Sequence, residues 1–91
     1  MTREAQRFQE LLTIAKELYK ESGREHLARF LSILSMKLDE SDDNLGTITT
    51  RANVLLSNLR HVELLPVTEK KKSVLMDELE QFRKSLAVKR A

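Results

Sequence analysis

Cysteine and tryptophan are absent from the 91-residue chain, which has only two glycines and one proline. Without cysteine there is no disulfide framework, no thiolate zinc site and no cysteine nucleophile. Few turn-forming residues, with 33% charged and 41% hydrophobic residues, favour a globular chain of long helices. We therefore expect a single domain over residues 1–91, stabilised by side-chain packing alone.

Long apolar segments are also missing. The uncharged stretch from Ala52 to Leu59 is far shorter than the ~20 apolar residues of a membrane-spanning helix. Charges recur through the first ten residues, where a secretory signal needs an apolar run of about 7–15 residues. We expect a cytosolic protein that does not cross a bilayer.

Apolar residues recur at alternating steps of three and four residues in four segments, which is the spacing of one helical face. These stripes predict helices over about residues 2–22, 24–38, 45–63 and 69–88. The stripe residues are Ala5, Phe8, Leu12, Ala15 and Tyr19; Leu27, Phe30, Leu31, Leu34 and Leu38; Ile48, Ala52, Leu55, Leu59 and Val62; and Leu75, Leu79, Phe82 and Leu86. Short linkers between them predict an all-α, antiparallel up-down four-helix bundle.

Several residues refine this arrangement. Ile33 and Met36 lie opposite the main stripe of the second helix, so we expect this helix to be the central one. Gly23 is suited to end the first helix, and the acidic segment 39–44 is expected to be a linker. Thr68, after the helix-breaking proline, is expected to cap the fourth helix.

The residues that carry chemistry are sparse. His26 and His61 lack a second His or Cys at ligand spacing, and the two glycines are too far apart for a phosphate-binding loop. We therefore expect no metal, no cofactor and no enzymatic activity, although a small enzyme remains the minor alternative. With all four aromatic residues in core stripes there is no stacking platform, so we expect no nucleic-acid partner.

Two features differ from an ordinary solvated helix. Lys70, Lys71 and Lys72 lie where the fourth helix is expected to begin, and cations are disfavoured there by the helix dipole. Either Glu69 offsets this cost, or the regular helix begins near Ser73, or the lysines form a patch facing an anionic membrane surface or acidic partner.

The third helix has an unusually uncharged outer side. Arg51 is its only charge before Leu59. The outer side consists of Thr47, Thr50, Asn53, Val54, Ser57 and Asn58. It is interpreted as a helix half-covered by its neighbours, with a shallow polar interface as the alternative.

The chain resembles the immunity proteins of class IIa (pediocin-like) bacteriocins, particularly the enterocin A immunity family. The resemblance covers nearly the whole chain and consists of short patterns of size and polarity. These are Gln9-Glu10-Leu11-Leu12, Ala15-Lys16-Glu17-Leu18-Tyr19, Lys37-Leu38-Asp39, Arg51-Ala52-Asn53-Val54-Leu55, Leu65-Pro66-Val67-Thr68, Leu75-Met76-Asp77-Glu78-Leu79 and Phe82-Arg83.

The resemblance implies a cytosolic four-helix bundle that recognises the mannose phosphotransferase permease of the membrane once a bacteriocin has engaged it. It also implies that the C-terminal half discriminates between bacteriocins. That half is the basic one: residues 1–45 carry seven Lys/Arg and nine Asp/Glu, and residues 46–91 carry nine and five. Our candidate contact residues are therefore Lys70, Lys71, Lys72, Arg83, Lys84, Lys89 and Arg90.

A general helical protein-protein adaptor is the alternative function. In that case Ile33 and Met36 would be covered in a homodimer, although we expect a monomer. Beyond the permease complex, the only further partner that we expect is the inner face of the cell membrane, as a peripheral contact.

Overall fold

A computed structural model of the chain describes residues 2–40 and 45–90, apart from the side chains of residues 34–40 and 89–90. Its four helices are α1 (Arg3–Glu21), α2 (Glu25–Glu40), α3 (Leu45–His61) and α4 (Pro66–Arg90). The predicted all-α protein of four helices is confirmed.

The helices alternate in direction, because short turns connect α1 to α2 and α3 to α4. Two ion pairs show that α4 runs antiparallel to α1. Arg7 near the start of α1 lies 3.4 Å from Glu78, and Glu21 at the end of α1 lies 3.3 Å from Lys71.

The central helix is α1. In the described part of the chain α1 contacts each of the other three helices, whereas α2 contacts α1 alone. The buried residues of α1 cover a broad face: Ala5, Phe8, Leu11, Leu12, Ala15, Leu18 and Tyr19. The prediction that the second helix is central is therefore wrong for the described residues. Leu11 and Leu18 widen the apolar stripe of α1, so that this helix can pack against three other helices.

The outer side of α2 is exposed where its side chains are described. Phe30 is 47% exposed and Ile33 is 51% exposed, whereas Ala28 and Leu31 are buried against α1. The prediction that Phe30 lies in a core stripe is therefore wrong, because α1 covers only one side of α2. Met36 lies outside the described side chains.

The other three aromatic residues tie α1 to α3 and α4. The rings of Phe8 and Phe82 stack with centroids 6.0 Å apart and planes 4° apart. The buried Tyr19 donates its hydroxyl hydrogen bond to the Asn58 Oδ1 of α3. Burial of this side chain raises the pKa of Tyr19 to about 12, so the phenol stays protonated and able to donate.

The ends of α1 follow the local signals of the sequence. The Thr2 hydroxyl accepts a hydrogen bond from the Ala5 amide at 3.2 Å, as an N-cap does. At the other end Gly23 has φ +74°, a left-handed conformation that costs glycine little. The prediction that Gly23 ends this helix is confirmed.

Two other boundaries differ from the predictions. Asp39 and Glu40 continue α2 rather than beginning a linker, because neither residue provides the glycine or proline signal that stops a helix. Residues 41–44 of the expected linker lie outside the described part. The third helix ends at His61, two residues before the predicted end.

The start of α4 corrects another prediction. The helix begins at Pro66, where the missing amide donor is harmless because the first helical amides have no partner within the helix. Thr68 does not cap α4. Its side chain is fully buried and its hydroxyl donates to the Leu65 carbonyl at 2.8 Å.

Leu65, Ser22 and Thr68 form a closed chain of hydrogen bonds, which joins the α3–α4 turn to the end of α1. The Leu65 amide donates to Ser22 Oγ at 3.4 Å, and Ser22 Oγ lies 2.7 Å from Thr68 Oγ1. Since Thr68 donates its hydrogen to the Leu65 carbonyl, Ser22 is the donor to Thr68. Each hydroxyl therefore both donates and accepts, so the buried Thr68 oxygen is satisfied.

We predict that Thr68→Val lowers the free energy of unfolding by about 1–2 kcal/mol, because it keeps the side-chain shape but removes the buried hydroxyl that accepts from Ser22 and donates to the Leu65 carbonyl. Thermal denaturation measures the effect. Thr50→Val is the matched control, since the exposed Thr50 hydroxyl bonds only to the Gly46 carbonyl of its own helix. Equal melting temperatures of the two variants would contradict the prediction.

Candidate partner-binding site

The turn between α3 and α4 is held by one carboxylate and one ammonium group. Glu69 accepts a hydrogen bond from the Leu64 amide at 2.9 Å and pairs with Lys72 at 3.1 Å. Lys72 Nζ also donates to the Val62 carbonyl at 3.1 Å. The Lys72 side chain is only 15% exposed, so its ammonium group stabilises the turn rather than facing a partner.

The hydrogen bond from the Leu64 amide lowers the pKa of Glu69, and the hydrogen bond from Lys72 lowers it further. Both interactions favour the ionised carboxylate. The folded protein is therefore stabilised by Glu69 in its charged form.

The three consecutive lysines do not form one patch. Lys71 pairs with Glu21 at 3.3 Å, and Lys72 bonds to the Val62 carbonyl and to Glu69 within the α3–α4 turn. Lys70 is exposed, and no partner for it occurs among the described residues. Because α4 begins at Pro66, the interpretation that places the helix start near Ser73 is wrong. The lysines instead occupy the second turn, where the dipole penalty has decayed.

Two exposed apolar side chains occur within five residues of Lys70. Leu65, the residue before α4, is 49% exposed, and Val67 is 71% exposed. Val67 and Lys70 are three residues apart on the helix and therefore neighbours on its surface. We call Leu65, Val67 and Lys70 the tip. Leu65 and Val67 were not predicted as contact residues, although apolar residues on both sides of a proline in a turn could have indicated an exposed apolar surface.

The backbone of the tip is fixed from the α1–α2 side. Both backbone polar groups of Leu65 belong to the hydrogen-bonded chain with Ser22 and Thr68. In addition the Arg24 guanidinium donates to the Glu63 carbonyl at 3.0 Å. The tip is therefore presented on a preorganised base, which reduces the entropy lost on binding a partner.

The remaining basic candidates lie elsewhere. Arg83 pairs with Glu80 at 2.6 Å and donates to the Asn53 side chain at 3.3 Å. Lys84 is exposed, but fourteen residues of helix separate it from Lys70, about 21 Å along the axis. The Lys89 and Arg90 side chains lie outside the described part. The structure therefore does not gather the predicted contact residues into one site.

The outer side of α3 is open to solvent. The exposed residues are Thr50, Asn53, Val54, Ser57 and Asn58. The interpretation of this helix as half-covered by its neighbours is therefore wrong for these positions, because α2 packs against α1 and not against α3 in the described part. The residues around a shallow depression of about 370 Å³ on this side are Val54, Ser57, Asn58 and His61.

Two further properties bear on function. Among residues 2–40 and 45–90, no group of three His, Asp or Glu side chains is arranged to hold a metal ion. Within the same ranges no helix has the length and apolar character needed to span a membrane.

Comparison with protein-family models, with curated proteins and with solved structures gave no significant match to this chain. A functional proposal therefore depends on the residue patterns of the chain and on the geometry of its surfaces.

We predict that substitution of Lys72 destabilises the fold, whereas substitution of Lys70 does not. Lys72→Gln lowers the melting temperature by a few degrees, because it removes the ammonium group from the Val62 carbonyl and from Glu69. Lys70→Gln leaves the melting temperature within about 2 °C of the original, as expected for an exposed residue without a partner. Differential scanning calorimetry of the two variants checks this, and an equal loss in both would contradict it.

We also predict an acid-sensitive contribution from Glu69. Its pKa is lower in the folded state than in the unfolded state, so its stabilisation is complete above the ordinary glutamate pKa and is lost as the pH falls through the folded-state value. The difference in melting temperature between the original chain and Glu69→Gln should therefore shrink on acidification. The control is Glu17→Gln, because Glu17 has no hydrogen bond or ion pair among the described residues. A pH-independent difference for Glu69→Gln would contradict the prediction.

Proposed function

We propose that the chain is a bacteriocin immunity-type binding protein. It protects a producer cell by binding stoichiometrically at the cytosolic side of a mannose phosphotransferase permease that a class IIa bacteriocin has engaged. The proposal starts from the residue patterns that the chain shares with the immunity proteins, which span nearly its whole length.

The tip is the observation that carries the proposal. It combines exposed Leu65 and Val67 with Lys70, for which the described part of the chain offers no partner, at the turn between α3 and α4. The cytosolic surface of a membrane is anionic and attracts each nearby Lys or Arg by about 1 kcal/mol. The apolar side chains supply contact area that is removed from water on binding. An apolar and cationic tip therefore suits a membrane-embedded partner approached from the cytosol.

The position of the tip also fits the resemblance. The tip belongs to the α3–α4 turn, within the basic C-terminal half that the resemblance assigns to discrimination between bacteriocins. The open, nearly uncharged outer side of α3 lies in the same half. In this proposal the tip makes the primary contact and binding requires no turnover, because occlusion of the engaged permease is itself the protective event.

The test is expression in a strain sensitive to class IIa peptides, with the inhibitory concentration of each peptide as the readout. We expect the original chain to raise the inhibitory concentration of at least one peptide. The triple variant Leu65→Ser/Val67→Ser/Lys70→Gln should lose most of this protection, about tenfold if the tip contributes 1.4 kcal/mol or more to binding.

The tip variant separates binding from folding. Serine is a good residue immediately before a helix, and all three changes are at exposed side chains, so the melting temperature should not fall. The control is Val88→Ser/Lys84→Gln, which makes similar changes on exposed residues further along α4 and should retain protection. Unchanged sensitivity to every peptide with the original chain would contradict the function. No loss of protection with the tip variant, or a loss with the control as large as that with the tip variant, would contradict the role of the tip.

A further inference from the structure

A groove runs between α1 and α4, and its α4 side begins at Lys71, one helical turn after Val67. Its volume is about 420 Å³. Leu18 and Leu75 form a buried floor, and Ile14 and Val74 form walls that are 41% and 54% exposed. The groove therefore presents apolar surface that the fold itself leaves partly uncovered.

The rim of the groove is acidic. Glu17, Glu21 and Glu78 line it together with a single ammonium group, that of Lys71, so the lining carries a formal charge of −2. Lys71 pairs with Glu21, and Glu78 pairs with Arg7. Glu17 is exposed and has no hydrogen bond or ion pair among the described residues, so its charge is available to a partner.

The shape of the groove favours an elongated occupant. Its α1 side extends from Thr13 to Glu21, about 12 Å along the helix axis. Because α1 and α4 are antiparallel neighbours, the groove follows their axes. Amphipathic helices bind in grooves of this kind by laying their apolar face between two helices.

We propose that the α1–α4 groove binds a cationic amphipathic helix of a partner polypeptide. Apolar side chains of the partner would contact Ile14 and Val74, and its Lys or Arg side chains would pair with Glu17 and the rest of the acidic rim. Charge complementarity selects a cationic helix, because an acidic one would place like charges against an excess of carboxylates. This inference is independent of the immunity function.

The probe is a synthetic helical peptide of about 18 residues, roughly five turns, made of leucine, alanine and lysine. Its leucines form one face and its lysines flank that face. We expect fluorescence anisotropy to show saturable binding to the purified full chain, weaker at high salt because exposed charges are screened. A peptide with glutamate in place of every lysine should not bind. A scrambled peptide of the same composition, without an apolar face, should bind at least tenfold more weakly.

Two substitutions in the groove test the contacts. Glu17→Lys should raise the Kd of the lysine peptide about fivefold or more. Ile14→Ser should raise it about threefold or more. The matched controls, Asp77→Lys and Val88→Ser, make comparable changes at exposed positions that do not line the groove, and they should bind the peptide like the original chain.

Three results would overturn the inference. These are no saturable binding of the lysine peptide, equal binding of the glutamate peptide, and equal weakening by Glu17→Lys and Asp77→Lys. Self-association in sedimentation velocity that Ile14→Ser abolishes would also overturn it, because the occupant would then be a second copy of this chain. The immunity function is tested by protection of a sensitive strain, and this inference is tested by peptide binding to the purified chain, so a failure of one is distinguishable from a failure of the other.

Discussion

The structure depends on the burial of α1 from three sides. The seven buried residues of α1 include Phe8, Tyr19 and three leucines, and burying a side chain of that size contributes about 1.5–3 kcal/mol. The ion pairs around it are at partly exposed positions, where such a pair contributes about 0–1 kcal/mol. Apolar burial therefore determines which helices contact α1, and the ion pairs only adjust their register. With α1 at the centre, α2 is left with one covered side and α3 with an open outer side.

The exposed surfaces that we consider functional follow from this arrangement. The end of α1 meets the α3–α4 turn, and a fully buried hydroxyl at that junction has to be satisfied. Ser22 and the Leu65 backbone satisfy Thr68 there, so the Leu65 side chain is directed away from the core on a backbone that cannot easily move. Along the same helix pair, Ile14 and Val74 are only partly covered, because among the described residues no third helix closes the space above Leu18 and Leu75. The tip and the groove are thus both consequences of how α4 packs against α1.

Much of the fold could be predicted from the sequence, because helical periodicity and local capping signals act within a few residues. The apolar steps of three and four residues identified every helix, and Gly23 marked the end of α1. The order of contacts could not be predicted, because the stripe of the second helix looks as apolar as that of the first, and only packing shows that Phe30 stays exposed. The role of Thr68 was missed for a related reason. A threonine after proline resembles a cap, but its partner Ser22 is distant in sequence. The candidate site was predicted least well, since a run of three lysines gives no indication that Lys72 bonds to the Val62 carbonyl.

The charges that are available to a partner in the structure differ from those that the sequence suggests. By sequence the chain divides into an acidic first half and a basic second half, which directs attention to every cation after residue 45. In the structure most of the described cations in that half pair with a nearby carboxylate. Lys71 and Lys72 pair with Glu21 and Glu69, and the two arginines Arg60 and Arg83 share Glu80. What remains available at the tip is one lysine with two apolar side chains, and what remains at the groove is the carboxylate of Glu17 with the apolar side chains of Ile14 and Val74. The two surfaces carry charges of opposite sign, and each combines its charge with uncovered apolar side chains, so a partner that matches both the charge and the apolar surface would bind one of them and not the other.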